Sequence, residues 1–179
     1  GVFAAFTYVA PLLLEVTRST QTMVTLALLL FGIGVTIGNM LGGKIADRSL
    51  IPGLMGILAI LIVVLLAQYL FAAQLVPTLI LVTLVGIFGF ATAPGLQTRV
   101  LDKAGDAAAL AATLNIGAFN LGNALGAWLG GALIDGGFGI ASTALGGAAM
   151  ALIGLGAAAL GLAADRRRSA SLAASATAE

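Results

Sequence analysis

The chain has 179 residues, 60% of them hydrophobic and 8% charged, a balance far from that of a soluble domain and close to that of a polytopic membrane protein. It has no cysteine and no histidine, which excludes disulfides, thiolate chemistry, zinc sites and imidazole acid–base catalysis, and with them most enzyme classes. The formal charge of +1 says nothing about partners, but the positions of the charges do.

Crossing about 30 Å of hydrocarbon takes roughly 20 apolar residues in a helix. Six such runs are predicted, at about 1–14, 22–43, 52–73, 76–98, 107–134 and 140–163, which gives an all-α membrane fold. The first is too short to cross alone, and because the chain opens at Gly1 inside an apolar run it is expected to be a piece of something longer. The second ends in Lys44-Ile45-Ala46-Asp47-Arg48, where lipid-compatible sequence stops in alternating charge. Pro52 stands in the first turn of the third, where a missing N–H costs least. Pro94-Gly95 in the fourth predicts a kink or a loosened end. Asp135-Gly136-Gly137 makes the turn into the sixth. Arg166-Arg167-Arg168 and the Ala/Ser run after it read as a frayed basic tail, so the domain reading is a six-helix unit over 1–164 and a disordered tail over 165–179.

The short loops set the orientation. Lys44, Arg48, Arg99, Lys103 and the three tail arginines fall on one side, against Arg18 alone on the other, so the C-terminus is predicted to be cytoplasmic in a multi-pass cell-membrane protein. The same alternation supports the count of six, and an internal repeat stands beside it. Gly38-Asn39-Met40-Leu41-Gly42 in the second span matches Gly122-Asn123-Ala124-Leu125-Gly126 in the fifth, and the two spans run in opposite directions. Second of the first three and second of the last three is the inverted three-plus-three arrangement of one transporter half. Gly34, Gly38 and Gly42 recur every four residues in one of these spans, and Ala118, Gly122, Gly126 and Gly130 in the other, so each has one smooth face that another helix can approach closely. Two uses fit: packing among these six helices, or a sliding contact with another half.

Polar residues supply the site candidates. Asp47 with Arg48 and Arg99 forms either a solvated cluster at a helix end or a latch in which Asp47 pairs with Arg99. Asn115, Asn120 and Asn123 are polar in an apolar span, where side chains hydrogen-bond neighbouring helices or line a pathway. Tyr8, with Thr7 beside it, offers a ring plus a hydroxyl for an amphipathic ligand, and Phe88 and Thr92, one turn apart, are expected on the same wall. Every carboxylate falls at or beyond a span end, so a proton-coupled carrier containing this chain would keep its titrating group elsewhere.

Gly43-Lys44-Ile45-Ala46-Asp47-Arg48 resembles the signature loop of the major facilitator superfamily, Gly-x-Leu-Ala-Asp-Arg, in the degenerate copy between the eighth and ninth helices. It departs from the full signature after Arg48, where Ser49-Leu50-Ile51-Pro52 stands in place of a glycine and a basic pair. The run from Leu114 to Gly126 resembles the eleventh helix of bacterial drug and sugar efflux permeases of the drug:proton antiporter type, and Thr7-Tyr8-Val9-Ala10-Pro11 resembles their seventh. The resemblance implies helices seven to twelve of a twelve-helix alternating-access carrier, with an N-terminal six-helix half absent. In that family the first and fourth helices of each half line the cavity, the second and fifth form the contacts between halves, and the third and sixth face lipid. It thereby implies that Thr7, Tyr8, Phe88 and Thr92 line the cavity, that Gly43, Asp47, Arg48 and Arg99 gate it, and that Gly34, Gly38, Gly42, Gly122, Gly126 and Gly130 pack between halves. The expected partners are a small-molecule substrate such as a drug or sugar, protons, the bilayer and the missing half. No nucleic acid, cofactor or metal is expected. The competing reading is a non-transporting six-helix scaffold or assembly subunit; an intramembrane enzyme is disfavoured by the lack of histidine, cysteine or paired carboxylates in the spans.

Overall fold

A computed structural model describes the backbone of residues 1–176 and the side chains of residues 1–164, and every element assigned in it is helical. The chain opens with two short helices, α1 (Val2–Phe6) and α2 (Val9–Pro11), and a π-helical turn over Leu12–Val16. Where the sequence predicts one helix over 1–14, the path breaks at Tyr8 (φ −105°, ψ 14°). Pro11 is the physical reason, since its ring excludes the carbonyl four residues earlier and it has no N–H to offer Thr7. The π turn is closed by Thr17, whose N–H donates to the Leu12 carbonyl at 3.0 Å and whose hydroxyl donates to the Ala72 carbonyl at 2.7 Å.

Helix α3 (Gln21–Leu70) joins the second and third predicted spans. Fifty residues of helix would be about 75 Å long, more than twice the hydrocarbon thickness, and the continuity is broken at Ser49 (φ −159°, ψ 83°). Pro52, three residues on, explains the position: it cannot hydrogen-bond the Arg48 carbonyl, and it pushes the residues before it out of helical geometry. A bend thus replaces the loop expected between these two runs. Helices α4 (Leu75–Phe90) and α5 (Thr92–Ala104) divide the fourth predicted span at Ala91. The loosening expected from Pro94 falls there because the carbonyl its ring excludes is that of Phe90. Helix α5 runs on to Ala104, so Arg99 and Lys103 are helical, not in a loop. A single 3-10 turn over Gly105–Ala107 leads into α6 (Ala108–Asp135). A turn with Gly137 and Gly139 at φ 82° and 79° then leads into α7 (Ser142–Ala176). The α7 backbone is helical as far as Ala176, in keeping with its alanine content. The side chains of Arg166, Arg167 and Arg168, and residues 177–179 altogether, lie outside the described residues.

Among the described residues, three stretches are long and apolar enough to cross a bilayer: Gln21–Leu70, Leu75–Asp135 and Ser142–Ala164. The core lies where the first arm of α3 meets α4, with Val24, Ala27 and Phe31 against Val82 and Val85, and extends through Leu61 and Leu65 of the second arm to Ala148 and Ala151 of α7. The outer surface is apolar too: Leu29, Met40, Val63, Leu114, Leu121, Trp128 and Ile153 are all exposed. On a water-soluble protein such a surface would drive aggregation; facing lipid it costs nothing.

Glycine makes the α3–α4 contact. A Cβ at Gly34, Gly38 or Gly42 would collide with the carbonyl oxygens of Thr83, Ile87 and Ala91 respectively. The two backbones touch with no side chain between them. The second stripe works the same way against α1: a Cβ at Gly130 would stand 2.5 Å from the Tyr8 ring and 2.9 Å from the Ala4 carbonyl, and one at Gly126 3.1 Å from the Ala4 nitrogen. Of the two uses the sequence left open for these stripes, the packing among the chain's own helices is the one seen here. Gly34, Gly38, Gly42, Gly126 and Gly130 are packed against helices of their own chain. A Cβ added at Gly122 would have nothing within 4 Å, and this glycine borders a cavity instead.

Candidate functional site

Two cavities lie on either side of one aromatic pair. Phe90, the last residue of α4, and Phe119 of α6 meet edge to face, with centroids 6.5 Å apart and planes at 65°. On one side is an inner cavity of about 240 Å³, bordered by Val2, Thr92, Gly122, Asn123 and Met150. On the other is a larger open groove of about 490 Å³ between α3, α5 and α6, lined by Asn39, Phe90, Ala93, Pro94, Leu96, Gln97, Asn115, Ile116 and Phe119. That second volume is in the range of small-molecule sites.

The bend in the α4–α5 segment positions the groove. Beyond Ala91 the chain continues as α5 with Pro94 facing the opening, which brings Gln97 opposite Asn115 of α6. The Asn115 amide donates a hydrogen bond to the Gln97 side-chain carbonyl and so bridges α5 and α6. Asn39, on α3, completes a rim of three amides. At 1.5 Å per residue, Asn39 lies about 7 Å along its helix from Lys44, while Phe119 lies about 16 Å from the start of α6. The rim is therefore near the end of the bundle that carries Lys44, Arg48, Arg99 and Lys103, and the aromatic floor is deeper.

The structure distributes the predicted residues more widely than the sequence suggested. Tyr8, half-buried, donates its hydroxyl to the Ala127 carbonyl of α6 at 2.8 Å and lays its ring on Gly130, so it clasps α6. Thr7 is exposed beside it. Phe88 packs against the core, while Thr92, buried, donates to the Gly89 carbonyl at 2.7 Å and borders the inner cavity, so the two do not share one wall. Asn115 makes the interhelical bond expected of a membrane asparagine, Asn123 borders the inner cavity, and Asn120 is exposed.

The charge cluster is also rearranged. Asp47 and Arg48 lie at the bend of α3, with Gly43 in open space one turn earlier. Among the described residues Asp47 makes no ion pair. The Arg99 guanidinium points the other way, towards α7, where a Cβ on Gly161 would lie 3.2 Å from it. The expected Asp47–Arg99 pair is thus not formed in this conformation. Sequence reasoning missed Asn39, Phe90, Gln97 and Phe119. The signal for Asn39 was present, since it occupies the position in the Gly-Asn-x-Leu-Gly repeat that Asn123 occupies in the other copy, and both border a cavity.

Comparison with known proteins gives the context of these cavities. No family model matches the chain, and no solved structure does. Curated relatives do. The chain is 44% identical over 151 residues to the inner membrane transport protein YdhP of Escherichia coli K12, covering 84% of this chain and 39% of that protein. It is 39% identical over 139 residues to the uncharacterized MFS-type transporter YtbD of Bacillus subtilis, covering 75% and 35%. With a chloramphenicol resistance protein of Streptomyces lividans it shares 32% identity over 126 residues, covering 70% and 32%. The chain therefore spans about two-fifths or less of the length of these relatives. With long lipid-compatible helices, a glycine-packed interior and transporters as its relatives over most of its length, this chain belongs to the major facilitator superfamily.

Proposed function

We propose that the chain is the C-terminal six-helix half of a twelve-helix efflux carrier that moves a drug- or sugar-sized molecule across the cell membrane by alternating access, with protons as the coupling ion. The observation that carries this reading is the use of the two glycine stripes. The second of the first three spans packs its stripe on the fourth, through Gly34, Gly38 and Gly42 against α4. The fifth packs its stripe on the first, through Gly126 and Gly130 against α1. Exchanging the two triplets turns one contact into the other, the relation that an inverted three-plus-three repeat requires. Five crossings follow if α3 crosses twice about Ser49, the Leu75–Asp135 stretch twice about the turn at Gly105–Ala107 and α7 once, and the short N-terminal helices make the partial sixth.

The charge distribution supports the rest. Glu15, Asp47, Asp102, Asp106 and Asp135 all stand at helix ends, bends or turns. The coupling carboxylate is accordingly assigned to the absent N-terminal half, and the cationic end of this half to the cytoplasm. Asp47 and Arg48 would engage that other half when the carrier closes on the cytoplasmic side. The test is flux in proteoliposomes containing the full-length product of the gene that encodes this chain. An imposed proton gradient should drive chloramphenicol or a sugar analogue against its concentration, and a protonophore should abolish the movement. Flux that ignores the proton gradient would remove the coupling, and no flux for any panel compound would remove the carrier.

A further inference from the structure

Three amides converge on the groove between α3, α5 and α6, and none of its lining residues is ionisable. An amide side chain has two N–H donors and an acceptor oxygen, and the Asn115–Gln97 bond uses one donor and one acceptor position of the pair. Among the described residues, the Asn39 side chain has no hydrogen-bond partner. Asn39, Gln97 and Asn115 therefore keep both donors and acceptors facing the same opening. Leaving such groups in hydrocarbon is costly, so the groove suits a wet or ligand-filled compartment better than a lipid-facing surface. Below the rim, Phe90, Ile116 and Phe119 present only apolar surface.

The nearest cations do not alter this. Arg99 lies two residues after Gln97, yet its guanidinium borders a separate cavity of about 370 Å³ with Ile51, Leu54, Gly154 and Ala157, on the α7 side of α5. Lys44 lies beyond the groove and is not among its lining residues. An ionised ligand in the groove would meet no opposite charge on this wall and would bear its desolvation unpaired. A neutral ligand with hydroxyl or amide groups would meet donors and acceptors at one end and two aromatic rings at the other.

We infer that Asn39, Gln97 and Asn115 bind the hydrogen-bonding head of an uncharged amphipathic solute, whose apolar body lies on Phe90 and Phe119. This rests on the carrier reading above and adds the substrate class. The head exchanges into the Gln97–Asn115 bond, so occupancy changes a side-chain link between α5 and α6. A cation or an anion of the same size would find no counter-charge on this wall.

The experiment measures equilibrium binding to the full-length protein in lipid nanodiscs with three probes of similar size: chloramphenicol (neutral), tetraphenylphosphonium (cationic) and naphthalene-2-sulfonate (anionic). Isopropyl thiogalactoside serves as a second neutral probe. A neutral probe should bind, and Gln97→Leu and Asn115→Leu should each weaken it by about tenfold, the loss expected for one buried hydrogen bond with its partner left unpaired. Gln97→Glu nearly keeps the shape and adds a charge; it should weaken neutral binding and raise tetraphenylphosphonium binding by about tenfold or more, a gain that a misfolded variant could not show. The inference is overturned if the wild-type protein binds neither neutral probe, or if all three variants bind the neutral probe as the wild type does. The carrier reading fails separately: a neutral probe that binds in an Asn115-dependent way but never moves across a proteoliposome leaves the subsite standing without transport, and proton-driven flux indifferent to Asn115 and Gln97 leaves transport standing without the subsite.

Discussion

Gly38→Ala tests the helix contact on which the bundle is built. In an unencumbered helix the change would stabilise by up to about 1 kcal/mol, since alanine is the better helix former. Here the new methyl meets the carbonyl and Cα of Ile87, backbone atoms that cannot rotate aside as a side chain would. Restoring van der Waals separation requires α3 and α4 to part by roughly 1 Å, and forcing extra volume into a packed contact costs about 1–3 kcal/mol. The net expectation is a loss of about 1–2 kcal/mol, or an apparent melting temperature about 2–8 °C lower for a chain of this length. Gly56 and Gly156 are the controls, being helical with nothing within 4 Å of an added Cβ. Their alanine variants should melt at or slightly above the wild-type temperature. Fluorescence-detected size exclusion after a temperature series reads all three. If Gly38→Ala melts with the controls, the two backbones are not in contact and the account of the stripe is wrong.

Tyr8→Phe removes only the hydroxyl that reaches Ala127, so it should cost about 0.6–1.5 kcal/mol, measured by the same melting assay, and leave the ring on Gly130 undisturbed. Thr17→Val deletes the donor to Ala72 that ties the π turn to the end of the Gln21–Leu70 helix; a similar loss is expected, together with faster proteolysis at Arg18. Asp47→Asn should lower transport while membrane levels stay near normal, and unchanged efflux would mean that the carboxylate only obeys the orientation rule. Pro52→Ala should straighten α3 across Ser49, visible as a longer distance between spin labels placed near Val24 and Ile62, and an unchanged distance would assign the bend to tertiary contacts instead.

Element lengths and stripes were legible in the sequence because they depend on hydropathy and spacing alone. The turn at Gly136-Gly137, the start of α6 and the loosening before Pro94 all fall within a few residues of their predicted places. The break at Tyr8 was not read, and the one at Ser49 was read as a loop over 44–51 and not as a bend, because a proline acts on the carbonyl four residues upstream and its effect lands away from the letter. The stripes were legible as close-approach faces while their partners were not, since spacing fixes which face is smooth but not what lies against it. The amide rim escaped for a different reason. Gln97 and Asn115 are 18 residues apart on separate helices, and Asn39 is farther still, so only the bend at Ala91 brings the three to one opening.

The direct backbone contact of α3 on α4 has a mechanical consequence. Two rods welded along three glycines have no compressible layer between them, so strain arriving at one passes into the other undiminished. Any rocking of the bundle must then be absorbed where the weld ends, at the joint just past Phe90, and the segment carrying Gln97 would swing while the pair beneath it keeps its shape.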